Sequence, residues 1–232
     1  MLTYSAKVRT LTHKLTPPLG IFGGPFDPVH LGHLRLAEEA REHLGLGQIC
    51  WIPAGLPPHR GQPQVTAENR LHMVQLATAG NPHFVLDPAE VEAQQPSYTV
   101  LTLERLRQVH GATRPLVLLL GADAFAGLLA WHRWQEVLQF AHLAIAHRPG
   151  FPVQIDSLSP VLAALYQQRF VADPRDLQTS AAGKIASFAM TQLAISATQI
   201  RKLLAQEASA RYLLPDSVLD YIRQHSLYRK SE

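Results

Sequence analysis

Leu19-Gly20-Ile21-Phe22-Gly23-Gly24-Pro25-Phe26-Asp27-Pro28-Val29-His30-Leu31-Gly32-His33 is the stretch from which the rest of the chain can be read. It opens as a short apolar strand, Leu19 to Phe22, and turns through glycine and proline. From about Gly32 to Leu44 the apolar positions take helical spacing, with Gly45 as the stop. Glycines at such a junction let the backbone turn sharply and come close to a ligand. The helix start adds free amides and the positive end of a dipole, which suits an anion. His30 and His33 stand one turn apart there, so both imidazoles can face the same anion. The string is neither the G-x-G-x-x-G fingerprint nor the Walker loop, whose lysine-serine/threonine pair is missing. Two histidines three apart could instead hold a metal, but no metal site is read from them.

Outward from this stretch, short apolar runs alternate with amphipathic ones. Strands are expected at Gln48 to Pro53, Phe84 to Leu86, Leu116 to Leu120, His142 to Ala146 and about Phe188 to Ile195. Helices are expected from Thr66 to Thr78 and from Ser97, as a cap, to His110. Further helical segments are read at 122–130, 133–140, 158–169, 197–206 and 216–225. The five consecutive apolar residues Leu116 to Leu120 suit a strand buried on both faces. Strand-helix alternation of this kind predicts an α/β fold: a doubly wound parallel sheet with right-handed crossovers and a small C-terminal helical portion. Such sheets bind ligands beyond the carboxyl ends of their strands, so the segments after each strand are where function is sought.

Composition narrows the class. With 47% hydrophobic and 17% charged residues among 232, the chain can bury a sizeable core. The one cysteine, Cys50, excludes an internal disulfide framework and reads as an inert core residue in a reducing compartment. No stretch has the length and unbroken apolarity of a membrane span, since Asp123 interrupts the nearest, Leu116 to Trp131. No secretory signal is read at the N-terminus, and a cytoplasmic location is expected. The net charge of +3 sits in residues 1–18, where Lys7, Arg9 and Lys14 face no acid. These residues read as a loosely held basic extension; a transit peptide would also be basic, but this segment is short and poor in arginine. Residues 19–228 then form one balanced domain, and an anionic ligand must be recognised by the placement of donors rather than by net charge.

A second anion site stands late in the chain. In Ile195-Ser196-Ala197-Thr198-Gln199-Ile200-Arg201, Ser196 and Gln199 have capping-box spacing, and Ile195 and Ile200 form a hydrophobic staple. This fixes a helix start, with Arg201 one turn in. Gly121 and Asp123, after the fourth strand, place a carboxylate where it can bond a ribose diol. His59, Arg60 and Arg148 lie in strand-end loops and suit a phosphate.

The chain resembles a known family. GGPFDPVHLGH is similar to the (T/H)xGH signature of the nucleotidyltransferase superfamily. PAGLPPHR (53–60), RLHMVQLA (70–77), QPSYTVLTLERL (95–106), LLGADAFAGLLAWHRW (119–134), HRPG (147–150), ISATQIRKLL (195–204) and VLDYIRQHSLY (218–228) occur in the order of the bacterial nicotinate-nucleotide adenylyltransferases. The resemblance implies a Rossmann-like fold and transfer of the adenylyl group of ATP, brought in with Mg²⁺, to nicotinate mononucleotide. It also implies roles. Gly23, Gly24, Phe26, His30, His33, Gly121, Asp123, Ser196, Thr198 and Arg201 would contact ATP, with His30, His33 and Arg201 catalytic. Thr99 and nearby amides would receive the nicotinate carboxylate and Trp131 would stack on the pyridine ring, while the strand-end cations His59, Arg60 and Arg148 are read from their position as partners of the mononucleotide phosphate. One position departs from the family: Pro25 stands where threonine or serine is usual, removing a backbone donor and a hydroxyl near the phosphates.

Other readings remain at this point. Pantetheine-phosphate, flavin and cytidylyl transferases share the first motif but lack the PSYT, GADA…WHRW and ISATQIR combination. Preference for the nicotinamide mononucleotide is a closer competitor. A nucleic-acid-binding protein is suggested only by the pI of about 9.2, and no aromatic-basic stripe supports it. A nucleotide-binding protein without turnover draws its support from Pro25 alone.

Overall fold

Two-sided burial of the strands organises the molecule. The computed structural model describes residues 16–58, 62–93 and 95–229. Among them are strands β1 (Leu19–Gly24), β2 (Gln48–Pro53), β3 (Phe84–Leu86), β4 (Leu116–Gly121), β5 (His142–His147) and β6 (Ile185–Ala189). The helices are α1 (Leu31–His43), α2 (Ala67–Thr78), α3 (Ala89–Glu92), α4 (Thr99–His110), α5 (Ala122–Ala126), α6 (Val137–Phe140), α7 (Pro160–Arg169), α8 (Ala197–Ala205) and α9 (Asp216–Gln224). All strand pairs are parallel, in the order β3-β2-β1-β4-β5-β6. This is the doubly wound, Rossmann-like order, whose direction of winding reverses between β1 and β4.

Alternate residues of each strand feed opposite cores. Phe22, Trp51, Val117, Leu119, Ala144 and Phe188 pack beneath α1, α2, α8 and α9. Their neighbours Ile21, Ile52, Leu118, Leu120, Leu143 and Ile145 pack against α4, α6 and α7 on the other face. Apolar runs without polar alternation are what a strand covered on both sides requires. Full burial of each such side chain contributes roughly 1.5–3 kcal/mol. Cys50 is buried within β2, and desolvation pushes its thiol up to about 12, so it is un-ionised and inert near neutrality.

Two expectations are corrected. The last strand is Ile185–Ala189, not a segment reaching Ile195. Its length is set by β5: Ala189 pairs with His147, Met190 donates to the His147 carbonyl at 2.9 Å, and among the described residues no further partner strand lies beyond. Ser97 does not cap α4. Tyr98 holds the cap position, and the Ser97 hydroxyl instead accepts the Gly55 N–H at 2.9 Å. The helical segments expected at 122–130 and 133–140 are present, each as a short α-helix and a 3-10 turn, divided at Gly127 in the first, while Arg133, whose φ of 52° is left-handed, caps the start of the second. The basic extension falls almost wholly outside the described residues, which begin at Thr16. No helix among the described residues is long and apolar enough to cross a membrane.

His142, wholly buried at the start of β5, clamps the sheet edge. Its Nδ1 accepts the Lys184 N–H at 3.0 Å, so Nε2 carries the proton and donates to the Ser180 carbonyl at 2.9 Å. Burial lowers its pKa from 6.5 to about 4. The neutral ring is therefore the folded form, and the unfolded chain binds the extra proton. Stability contributed by this ring is complete above about pH 6.5 and is lost as pH falls toward 4, to a limit of about 3 kcal/mol. Urea unfolding across pH 4–7 is expected to show this loss, and His142→Gln to reduce its slope; an unchanged slope in the variant would refute the assignment.

Candidate active site

A cavity of about 580 Å³ opens beyond the carboxyl ends of β1 and β4, at the reversal of the winding. Gly23, Gly24, Pro25 and Phe26 form one wall, and Gly121 and Asp123 face them from the end of β4. Phe26 has φ of 47°, a left-handed conformation that is costly for an aromatic residue. Packing holds it there: the ring is buried edge-on against Phe22 at 5.4 Å and His33 at 5.2 Å, between ring centroids. The loop backbone is thus arched over a plug of its own side chain.

His30 is the N-cap of α1 and His33 lies one turn in. Their rings stack at 3.7 Å, and the His30 N–H donates to His33 Nδ1 at 3.3 Å. That bond leaves Nε2 as the protonated nitrogen of neutral His33. The two rings are not equivalent. His33 lines the cavity, whereas His30 is buried against it, off the lining, with Nδ1 without a hydrogen-bond partner. Desolvation lowers the His30 pKa to about 4, so it is neutral near pH 7.

The late helix start meets the early one in space. The Ser196 hydroxyl caps α8 by accepting the Gln199 N–H at 3.1 Å, and Ile200 is buried beneath it. The Ile195 carbonyl lies 3.8 Å from where a Cβ on Gly32 would stand. Arg201 donates from Nη1 to the Asp27 carbonyl at 2.7 Å and from Nη2 to the Thr198 hydroxyl at 3.3 Å. Arg201, and through it Thr198, is therefore tied to the loop before α1, though neither they nor Ser196 line the cavity itself.

The far end of the cavity is aromatic. Thr99, first residue of α4, and half-buried Trp131 line it, and the Tyr98 and His132 rings approach to 4.4 Å between centroids. Beside them Glu90 accepts the Thr102 hydroxyl at 2.5 Å, and burial raises its pKa. Arg148 stands apart: it is exposed in the turn after β5, its backbone bridges to Phe151, and it does not line the cavity. His59 and Arg60 lie outside the described residues.

Several residues of this site carried no role in the sequence reading. Arg70 is only 1% exposed. It donates to the carbonyls of Pro25 at 2.8 Å, Ala54 at 2.5 Å and Gly55 at 2.9 Å. The signal was present: position 70 shares a helical face with buried Met73, Val74 and Thr78, so its cation points inward. Pro25, which lacks an amide hydrogen, contributes its carbonyl to this bond. Ser97, Glu90 and Thr102 join the cavity wall through side chains whose spacing alone gives no sign of it. Among the described residues no cluster of three or more histidine, cysteine or acidic side chains is placed to hold a metal.

A nucleotide-sized cavity between a glycine loop, the start of α1 and a carboxylate, with the start of α8 tied to the same loop, defines a nucleotide-binding α/β enzyme. The comparisons agree and are narrower. The cytidylyltransferase-like family profile matches residues 21–203. A relative from Dechloromonas aromatica, named a nicotinate-nucleotide adenylyltransferase, is 67% identical over 217 residues, covering 94% of this chain and all of its own. One of the same name from Aeromonas hydrophila is 47% identical, covering 93% and 99%. The solved Plasmodium falciparum nicotinic acid mononucleotide adenylyltransferase, complexed with NaAD, superposes with a TM-score of 0.67 over 92% of this chain and 98% of its own, at 15% identity. The chain belongs to the nicotinate-nucleotide adenylyltransferases of the cytidylyltransferase-like family.

A Cβ at Gly32 would stand 3.0 Å from His30 Nδ1 and 3.1 Å from its Cε1. Gly32→Ala is expected to displace the His30 ring by a few tenths of an ångström and to lower nucleotidyl transfer about tenfold. The helix itself gains from alanine, so the melting temperature should hold or rise. Unchanged turnover would show that the ring pair tolerates the shift.

Proposed function

We propose that this protein transfers the adenylyl group of ATP to nicotinate mononucleotide, giving nicotinate adenine dinucleotide and pyrophosphate, a step in making NAD. The observation that carries the reading is the convergence of the α1 and α8 starts, through Arg201 and Asp27, beside a cavity whose far end holds Trp131 and Thr99. Residues 19–228 act as one catalytic domain, and the reaction is placed in the cytoplasm. ATP enters as its Mg²⁺ complex, the cation arriving with the substrate.

The chemistry needs no enzyme nucleophile. A phosphomonoester has a second pKa of about 6, so the mononucleotide phosphate is largely dianionic at neutral pH and attacks the α-phosphorus itself. The P–O bond to pyrophosphate breaks as the new one forms. The protein aligns the attacking oxygen with the leaving group and stabilises charge on the phosphoryl oxygens. His33 donates from Nε2 to the phosphates, backed by His30, and Arg201 adds fixed positive charge from the second helix start. The backbone of Gly23, Gly24 and Phe26, with Gly121, Ser196 and Thr198, completes the ATP cradle. Asp123 accepts from a ribose diol. Trp131 stacks on the pyridine ring, contributing roughly 1 kcal/mol beyond area burial, and the start of α4 at Thr99 receives the nicotinate carboxylate. His59, Arg60 and Arg148 are assigned to the mononucleotide phosphate; for Arg148 this requires the turn after β5 to move toward the cavity.

Pyrophosphate release from ATP and nicotinate mononucleotide, measured against nicotinamide mononucleotide in parallel, tests the reading. Release is expected with the first substrate and to stop when the divalent cation is chelated; none with either substrate would make this a binding protein without turnover. His33→Ala is expected to lower kcat by two or more powers of ten with little change in stability. Trp131→Ala should chiefly raise KM for the mononucleotide, and a change confined to ATP would overturn the stacking assignment.

A further inference from the structure

The chain after α9 does something the reaction chemistry does not explain. Ser226 and Tyr228 have φ of 52° and 62°, both left-handed and neither glycine. Between them Leu227 donates to the Ile222 carbonyl at 2.9 Å, folding the segment back on its own helix. Strained backbone of this kind persists only where its surroundings over-determine it. What the fold-back achieves is the burial of Tyr228, 7% exposed, with its hydroxyl donating to Asp27 Oδ1 at 2.7 Å. The bond joins residues 201 positions apart.

Asp27 lies in the loop between β1 and α1, and every acceptor on it is engaged. Its Oδ2 accepts the Gln64 N–H at 2.8 Å, and its backbone carbonyl takes Arg201 Nη1 at 2.7 Å. With 6% exposure, the carboxylate has almost no water to replace a lost donor. Three segments therefore meet on one residue: the end of the 55–64 loop, the start of α8, and the tail after α9. Phe26, whose backbone forms the cavity wall, is the residue next to it.

We propose that Tyr228 is a positioning residue for the reaction: through Asp27 it fixes the register between the His30–His33 helix start and the Arg201 helix start. It touches no substrate. Its hydroxyl holds the Asp27 side chain, Asp27 holds the loop against Arg201, and the two phosphate-binding helix starts are thereby kept in line with one another. Ground-state binding survives looser alignment better than in-line transfer does, because only the latter depends on the mutual geometry of both ends.

The inference rests on the proposed adenylyl transfer for its kinetic test, and on the fold alone for its spectroscopic one. Tyr228→Phe removes only the hydroxyl. Tyr221→Phe is the control, since Tyr221 donates a comparable bond, 2.8 Å to Asn69 Oδ1, between α9 and α2. Tyr228→Phe is expected to lower kcat about tenfold while KM for ATP and mononucleotide stays within twofold, and Tyr221→Phe to leave kcat unchanged. In histidine-labelled protein without substrate, the His33 ring resonances should shift in Tyr228→Phe while those of His142 stay in place. Full kcat with unmoved His33 resonances would overturn the proposal, as would an equal kcat loss in the control. Absence of turnover in the unaltered protein would sink the adenylyl-transfer reading instead, and the His33 resonances would still decide this one.

Discussion

One buried guanidinium supports the catalytic end of the sheet. Arg70 reaches from α2 to the carbonyls of Pro25, Ala54 and Gly55, which stand just past the ends of β1 and β2. Leaving a buried carbonyl without its donor costs roughly 1–3 kcal/mol, and three depend on this one fork. A lysine could not serve, because its compact ammonium lacks the planar spread of donors that bridges two loops. Through Gly55 the support extends further. The Gly55 amide bonds Ser97, and a side chain there would collide with the Glu90 carbonyl, 2.2 Å from an added Cβ. The aromatic end of the cavity is thus built on the same fork as the phosphate end.

Charge in this protein works by location and by restraint. Arg70 and Arg201 both donate to backbone carbonyls of the loop after β1, where they brace it and lend it a positive field at once. The histidine behind the loop is kept neutral by desolvation. A neutral ring donates and accepts without demanding a counter-charge, so the surrounding apolar core can close tightly on it. The mildly basic composition has its surplus in the first eighteen residues, and from residue 19 onward the charges balance.

How much of this could be read beforehand depended on whether the deciding contact was local. β1, its turn and α1 follow from consecutive residues, and the five-residue run at Leu116 declares a strand covered on both sides. The end of β6 was misplaced because Phe188 to Ile195 is apolar apart from Thr191 and Gln192, whereas the strand stops where β5 runs out of partners. Ser97 looked like a helix cap because its type suits one. Its hydroxyl was claimed by Gly55, 42 positions away. The site divides in the same way. His30, His33, Ser196 and Arg201 stand in motifs whose spacing has a local meaning. Arg70 and Tyr228 act on partners 45 and 201 positions away, so their roles in the loop after β1 come only from the fold, and Arg148 was read from its place in a loop after a strand.

The strand order has a consequence for how the protein is made. β1 is one of the two central strands, yet of its two neighbours only β2 follows soon after it; the other, β4, begins at Leu116. A chain emerging from the ribosome therefore passes through a long interval in which β1 presents one bare edge of unpaired amides and carbonyls. Bare apolar edges recruit other chains. The pressure on this sequence at synthesis thus falls on its first half, and the arrival of Leu116–Gly121 is what covers the bare edge of β1.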